Sequence, residues 1–229
     1  MSVFLVATLK PWNIELFNQC KEVLPGEWHL ICEQSEISLE NVRALNPRFV
    51  FFPHWSWQVP REILDEFECV CFHMTDVPFG RGGSPLQNLI LSGCESTQVS
   101  ALRMVDEMDA GPVYLKRPLS LEGRAVDIYE RLAEIVFEMV VEIIQTEPKP
   151  VAQTGAPVLF QRRSPNESEL PQSASERALY DHIRMVDAPT YPLAFINWGD
   201  WRIEFSEAEL DEVKGVSSRV TIRKRKGEE

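Results

Sequence analysis

The sequence predicts an α/β fold: a Rossmann-like, mostly parallel sheet with helices on both faces, followed by a short β-rich C-terminal extension. Three observations predict it. Four short apolar runs, SVFLVA, WHLIC, RFVFF and ECVCF, alternate with stretches of helical periodicity over the first 72 residues. The runs are mostly apolar rather than apolar on every second residue, as expected of strands covered on both faces. From Tyr191 onward the pattern changes to Trp, Phe and Ile interleaved with polar residues, the signature of short antiparallel strands.

Each element follows from local chemistry. Ser2–Ala7 reads as a first buried strand. Pro11 then starts a helix with Ile14, Phe17 and Val23 on one face, ending near Pro25–Gly26. Trp28–Cys32 is a second strand, and Ser38 is the expected N-cap of a short helix through Leu45. Arg48–Phe52 is a third strand between Pro47 and Pro53. Pro60 is expected at the first helical position before REILDEF, and Glu68–Phe72 is a fourth strand. A Pro/Gly-rich loop precedes a helix from about Pro85 to Leu91, and strands are expected at Val99–Val105 and Val113–Leu121. Residues 124–146 carry Val126, Tyr129, Leu132, Val136, Met139, Val140 and Ile143 at helical spacing. Residues 149–175 are rich in Pro, Ser, Gln and Asn, and Ser175–Met185 is a last helix. The expected organisation is therefore a sheet domain over 1–150, an extended linker over 151–175 and a small helix-and-strand extension over 176–229.

Charge and cysteines narrow the partners. A net charge of −12 over 229 residues leaves little basis for binding nucleic acid, because phosphate contacts need a basic stripe. The one dense basic run, Arg223–Lys226, is diluted by Glu228 and Glu229. Five cysteines without zinc spacing suit free thiols in a reducing compartment, so no metal is expected. No run reaches the ~18 apolar residues of a membrane span. The expectation is a cytoplasmic protein acting on small molecules. The aromatic tail, with Trp198, Trp201 and Phe205, fits either a cap on the domain or a homodimer contact.

In an open parallel sheet, ligands bind outside the carboxyl ends of the strands. Three features are expected there: His73 after the fourth strand, the loop 106–111 (DEMDAG) after the next, and the loop 53–58 (PHWSWQ) after the third. A histidine, an acid and an aromatic pocket together are what proton-transfer chemistry needs, since the acid fixes the imidazole tautomer and raises its basicity. Taken singly, His73 also fits a satisfied loop histidine, Asp109 a turn residue ahead of Gly111, and the tryptophans core packing.

The spacing of these residues carries a resemblance. His73 is followed by Pro78, by Arg81-Gly82 and by Pro85, and Asp109 within Met108-Asp109-Ala110-Gly111 comes thirty-six residues after the histidine. This resembles the folate-dependent formyltransferase family, which includes methionyl-tRNA, glycinamide ribonucleotide and sugar N-formyltransferases. Its signature is Asn-x-His, a Leu-Pro-x-x-Arg-Gly loop and a distant Asp-x-Gly. The likeness covers about residues 1–150, and IRMVDAPTYPLAF, 183–195, resembles the family's following stretch. It implies transfer of a formyl group from N10-formyltetrahydrofolate to a primary amine. His73 would be the base or proton carrier, and Asp109 would orient and charge-stabilise its ring. The loop with Asp106, Glu107 and Met108 would line the pterin pocket together with Trp55, Trp57 and Val59. Arg81 would pin its own loop or pair with an anionic substrate group.

Cys71 departs from this pattern, since the family's asparagine, a donor to the formyl oxygen, falls there. A thiol is a weak donor. The acceptor implied by FHMTDVPFGRGGSPLQNLI is a nucleotide-linked amino sugar, as in pathways to 4-amino-4,6-dideoxy sugars and pseudaminic acid. Lys10 and Trp12, at the end of the first strand, would then meet its diphosphate or base. ATLKPWN has no glycine-rich phosphate cradle, which speaks against a phosphoribosyl amine. The −12 balance and the short segment after Tyr191 speak against tRNA. Two other readings remain: an N10-formyltetrahydrofolate hydrolase, in which water replaces the amine, and a non-catalytic folate- or sugar-binding homologue.

Overall fold

A computed structural model describes residues 2–225. The chain forms, in order, β1 (Val3–Ala7), α1 (Pro11–Cys20), β2 (Glu27–Ile31), α2 (Leu39–Leu45), β3 (Phe49–Pro53), α3 (Arg61–Glu66), β4 (Cys69–His73), β5 (Arg81–Gly82), α4 (Pro85–Leu91), β6 (Ser96–Arg103), β7 (Val113–Ser120), α5 (Ala125–Thr146), β8 (Leu159–Phe160), α6 (Glu176–Arg184), β9 (Ala194–Trp198), β10 (Trp201–Asp211) and β11 (Gly215–Lys224). It divides into two compact units. Among the described residues one comprises 2–82, 97–119 and 129–159, and the other 83–96, 120–128 and 160–225.

The first unit contains a six-stranded sheet in the order β2-β1-β3-β4-β6-β7. β2, β1, β3 and β4 are parallel, and β6 runs antiparallel to β4. Helices cover both faces, which is why every residue of β3 is buried. On one face Leu5, Ala7, Val50 and Phe52 pack with Val42 of α2 and Ile63 of α3. On the other, Val6, Trp28 and Phe51 meet Leu16 and Phe17 of α1 and Ala133, Val136 and Val140 of α5 around a small apolar cavity.

The start of α2 is as expected, with the Ser38 hydroxyl accepting from the Asn41 N–H. Two local expectations are corrected. Helix α1 ends at Cys20 and tightens into a 3-10 turn over Lys21–Val23, so Val23 leaves the apolar face and is 81% exposed. Pro60 is the cap of α3 rather than its first helical residue, because its ψ of 134° is extended.

The second unit contains an antiparallel sheet in the order β11-β10-β9. Helix α6 opens on Ser175, whose hydroxyl accepts from the Ala178 N–H. Arg184 at its end is 3% exposed and fully engaged. Its guanidinium donates to the Asp181 carboxylate at 2.6 Å and to the carbonyls of Leu121 and Gly123 at 2.6 and 2.8 Å. A buried cation is tolerated only with that degree of pairing.

Candidate active site

The site is built where β4 ends. Alternation puts Cys69, Cys71 and His73 on one side of the strand, and His73 is 8% exposed. The loop after it closes on itself around a cis Val77–Pro78 peptide. His73 Nε2–H donates to the Gly80 carbonyl at 2.7 Å, and the hydroxyl of the fully buried Thr75 donates to the same oxygen at 3.3 Å. The Ser100 hydroxyl, also fully buried, donates to the Thr75 carbonyl at 2.7 Å. A carbonyl only accepts, so Nε2 carries a hydrogen and Nδ1 is the nitrogen left to take a proton.

Nδ1 lies 3.5 Å from Asp109 Oδ2. The same oxygen accepts from the Gly82 N–H at 2.9 Å. The two sequence-predicted catalytic residues are therefore adjacent, but not by the route that strand ends suggested. Because β6 is antiparallel to β4, pairing Val70 with Arg103 and His73 with Ser100, its carboxyl end lies beside the amino end of β4. The loop 104–112 folds back to bring Asp109 to the histidine. Asp109 has φ 53°, a left-handed conformation uncommon for a residue with a side chain. At Gly111 a Cβ would sit 1.7 Å from the Arg103 carbonyl oxygen, so only glycine lets the loop return there.

Cys71 is the one residue of β4 that is not buried. Desolvation, and secondarily the Asp109 carboxylate, push its thiol far above the usual thiol range. It is therefore a neutral S–H beside the His73–Asp109 pair, not a thiolate nucleophile. Desolvation likewise pushes Cys69 up to about 12.

The two loops expected to line a pocket are placed differently from one another. Trp55 is half-buried, edge-on to Phe52 at 5.7 Å and to Trp57 at 5.3 Å, and its indole N–H makes no hydrogen bond among the described residues. Trp57 is 39% and Met108 70% exposed. Asp106 pairs with Arg61 at 3.1 Å and Glu107 with Arg81 at 3.1 Å, so both acids tether the loop at its start. Val59 departs from expectation: it is 3% exposed within the core under α3, so its side chain cannot face a ligand.

Lys10 and Trp12 divide in the same way. Trp12 is 7% exposed and stacked on Tyr129 at 5.0 Å, which places its ring in the core rather than at a ligand surface. The half-buried Lys10 stands at the end of β1 with Nζ 5.7 Å from the Trp12 ring. Desolvation, and secondarily the Lys10 charge, push the nearby His54 imidazole down to about 3, so His54 stays neutral. Arg81 is occupied: it donates to Gln153 Oε1 through Nε and Nη2, at 3.1 and 2.8 Å, and to Glu107. That is the loop-pinning role rather than an anion receptor. Gln153, Thr75 and Ser100 were not legible as site residues in the sequence, since no motif marks them.

The end of β4 thus holds a buried histidine with a half-buried carboxylate 3.5 Å from its Nδ1, a geometry that can pass one proton. Residues 165–223 match the family model described as the C-terminal domain of methionyl-tRNA formyltransferase. The methionyl-tRNA formyltransferase of Bacillus mycoides (strain KBAB4) is 28% identical over 165 residues, covering 68% of this chain and 52% of that protein. The structure of a methionyl-tRNA formyltransferase from Clostridium thermocellum superposes with a TM-score of 0.95 at 40% identity, covering 98% of this chain and 100% of that one. The chain belongs to the formyltransferase family with the methionyl-tRNA formyltransferase-like fold. It spans about half the length of the curated relatives it matches. Two further structures share the fold. HypX from Aquifex aeolicus in complex with tetrahydrofolic acid has a TM-score of 0.78 at 16% identity, over 97% of this chain and 44% of that one. A sugar N-formyltransferase from Shewanella sp FDAARGOS_354 has a TM-score of 0.67 at 14% identity, over 87% and 94%.

Proposed function

We propose that this chain transfers the formyl group of N10-formyltetrahydrofolate to a primary amine, with His73 and Asp109 as the catalytic pair. The observation that carries the reading is the 3.5 Å approach of Asp109 to His73 Nδ1, with Nε2 fixed on Gly80. The folate fits the residues present: the half-buried Trp55 N–H without a protein partner, the exposed Trp57 and Met108, and the backbone of residues 105–109 supply an apolar slot with a few polar contacts. The bound co-substrate supplies an activated formyl carbon. His73 Nδ1 takes the proton that the attacking amine gives up, and Asp109 stabilises the imidazolium. His73 then returns that proton to the departing folate nitrogen, so atoms and charge balance.

For the acceptor we propose a nucleotide-linked amino sugar of the 4-amino-4,6-dideoxy type, as in pseudaminic acid pathways. The acidic balance of −12 favours a small substrate over a polyanion, and the half-buried Lys10, three residues after β1, would be the cation that meets its diphosphate. Replacing Lys10 with alanine is expected to raise the nucleotide-sugar KM about tenfold or more, since a charge-assisted hydrogen bond contributes roughly 1.5–3 kcal/mol. An unchanged KM would remove Lys10 and this acceptor assignment together. A second reading, methionyl-tRNA as acceptor, is favoured by what the named relatives act on. Formylation of charged initiator tRNA, with no reaction of any nucleotide sugar, would select it.

We also propose that the chain is a cytoplasmic homodimer through the β9–β11 sheet. Among the described residues no helix is long and apolar enough to cross a membrane, and the five cysteines are free. The register pairs Trp201 with Trp198 and Ile203 with Ile222, and Trp198, Trp201, Val220 and Ile222 are 70, 46, 48 and 59% exposed. An apolar sheet face of that kind favours a partner. Light scattering should give twice 26.3 kDa, falling to one chain in a Trp198→Ser/Ile222→Lys variant. A monomeric native chain at micromolar concentration would rule the dimer out.

A further inference from the structure

Gln153 lies in the run between α5 and β8, half-buried between the exposed Ala152 and Thr154. Val151 fixes the run beside the catalytic loop by exchanging two backbone hydrogen bonds with Val113, each 2.8 Å. The Gln153 amide is then used to capacity. Nε2 donates to the carbonyls of Asp109 and Gly111, both at 2.8 Å, and Oε1 accepts both bonds from Arg81. The orientation is fixed by these partners. A flipped amide would set its oxygen against two carbonyls and its NH2 against a guanidinium.

The two groups that Gln153 joins are the two that hold the Asp109 side chain in place. One is the Asp109–Gly111 turn, whose first residue needs φ 53° to aim its carboxylate. The other is Arg81, which precedes the Gly82 N–H that binds Asp109 Oδ2. We infer that Gln153 is a positioning residue for the His73–Asp109 pair: it sets the Asp109 turn and so the approach of the carboxylate to the imidazole, without touching the reacting atoms. The inference deepens the formyl-transfer reading and rests on it for its kinetic consequence only.

The test uses the 15N-labelled full chain at one fixed pH. The chain has four histidines, so the ring nitrogens of His73 are assigned by their loss in His73→Asn. Asp109→Ala gives the reference position for a ring without its carboxylate. In Gln153→Ala the His73 nitrogen resonances are expected to move from the native position toward that reference. In Gln153→Glu they should move as well, because an oxygen then faces the two loop carbonyls while the acceptor toward Arg81 is kept. In the same variants kcat should fall about 10²-fold with the folate KM within about twofold, the signature of a misplaced group rather than lost binding. Native His73 resonances in folded Gln153→Ala and Gln153→Glu, while Asp109→Ala moves them, would overturn the inference, as would a native kcat. Should alanine melt the strap, Gln153→Met, of similar length and without the amide, decides by the same resonances. If the native chain transfers no formyl group, the proposed reaction fails while the resonances still decide the role of Gln153.

Discussion

Replacing His73 with alanine or asparagine lowers kcat by about 10²–10⁴-fold, the span that one positioned acid–base group contributes. The ring presents Nδ1 to an acid: Nε2 is committed to Gly80, and Nδ1 faces Asp109. Without it the amine must lose its proton to water. Folate binding should survive, because the pocket proposed from Trp55, Trp57 and the 105–109 backbone does not use the imidazole. A titration with a non-reactive folate analogue, run beside steady-state rates, separates the two. Native turnover in His73→Ala would end the mechanism, whereas lost folate affinity would make His73 a structural residue.

Replacing Cys71 with asparagine is expected to raise turnover by about 10²-fold, near the lower end of what one oxyanion donor contributes. The native thiol is neutral and a weak donor, beside a carboxylate that discourages any charge on sulfur. The neighbouring hydroxyls offer no substitute, since Thr75 and Ser100 are spent on the carbonyls of Gly80 and Thr75. The Gly82 N–H is spent on Asp109. An asparagine amide at this half-exposed position would add two strong donors toward the formyl oxygen. Rates compared at saturating folate, with melting temperatures alongside, check this. An unchanged rate would mean that a backbone N–H already holds that oxygen.

Much of the sheet was legible because its first four strands are short, mostly apolar runs. In β1, β3 and β4 that composition reflects burial between helices on both faces, whereas the edge strand β2 is only partly buried. Val23 was misread because periodicity continues in sequence past the point where α1 tightens into a 3-10 turn. The strand before the catalytic loop begins at Ser96, earlier than Val99, because its first residues are polar and pair without being buried. The two-residue pairing of β5 with β8 left no trace, since it joins segments almost eighty residues apart. At the site, His73 and Asp109 were legible through spacing. Equivalent strand ends do not explain their meeting, because β6 runs antiparallel to β4 and a strand's direction is not written in its composition. Val59 is expected at the pterin pocket from the resemblance and Trp12 at the substrate from its place after the first strand, and burial assigns both side chains to the core. Gln153 lay in a stretch that looked like linker. A glutamine shows its importance only when the carbonyls it bridges are seen.

The central claim is that this chain moves a formyl group from folate to an amine through His73. It is tested most directly with N10-[13C]formyltetrahydrofolate, by following the label with and without candidate acceptors in the native chain and in His73→Ala. Label is expected in an N-formyl product, formed only when an amino-sugar nucleotide is present and lost in the variant. Label released as formate at the same rate without any amine would make the protein a hydrolase, and label that stays on folate under all conditions would contradict catalysis altogether.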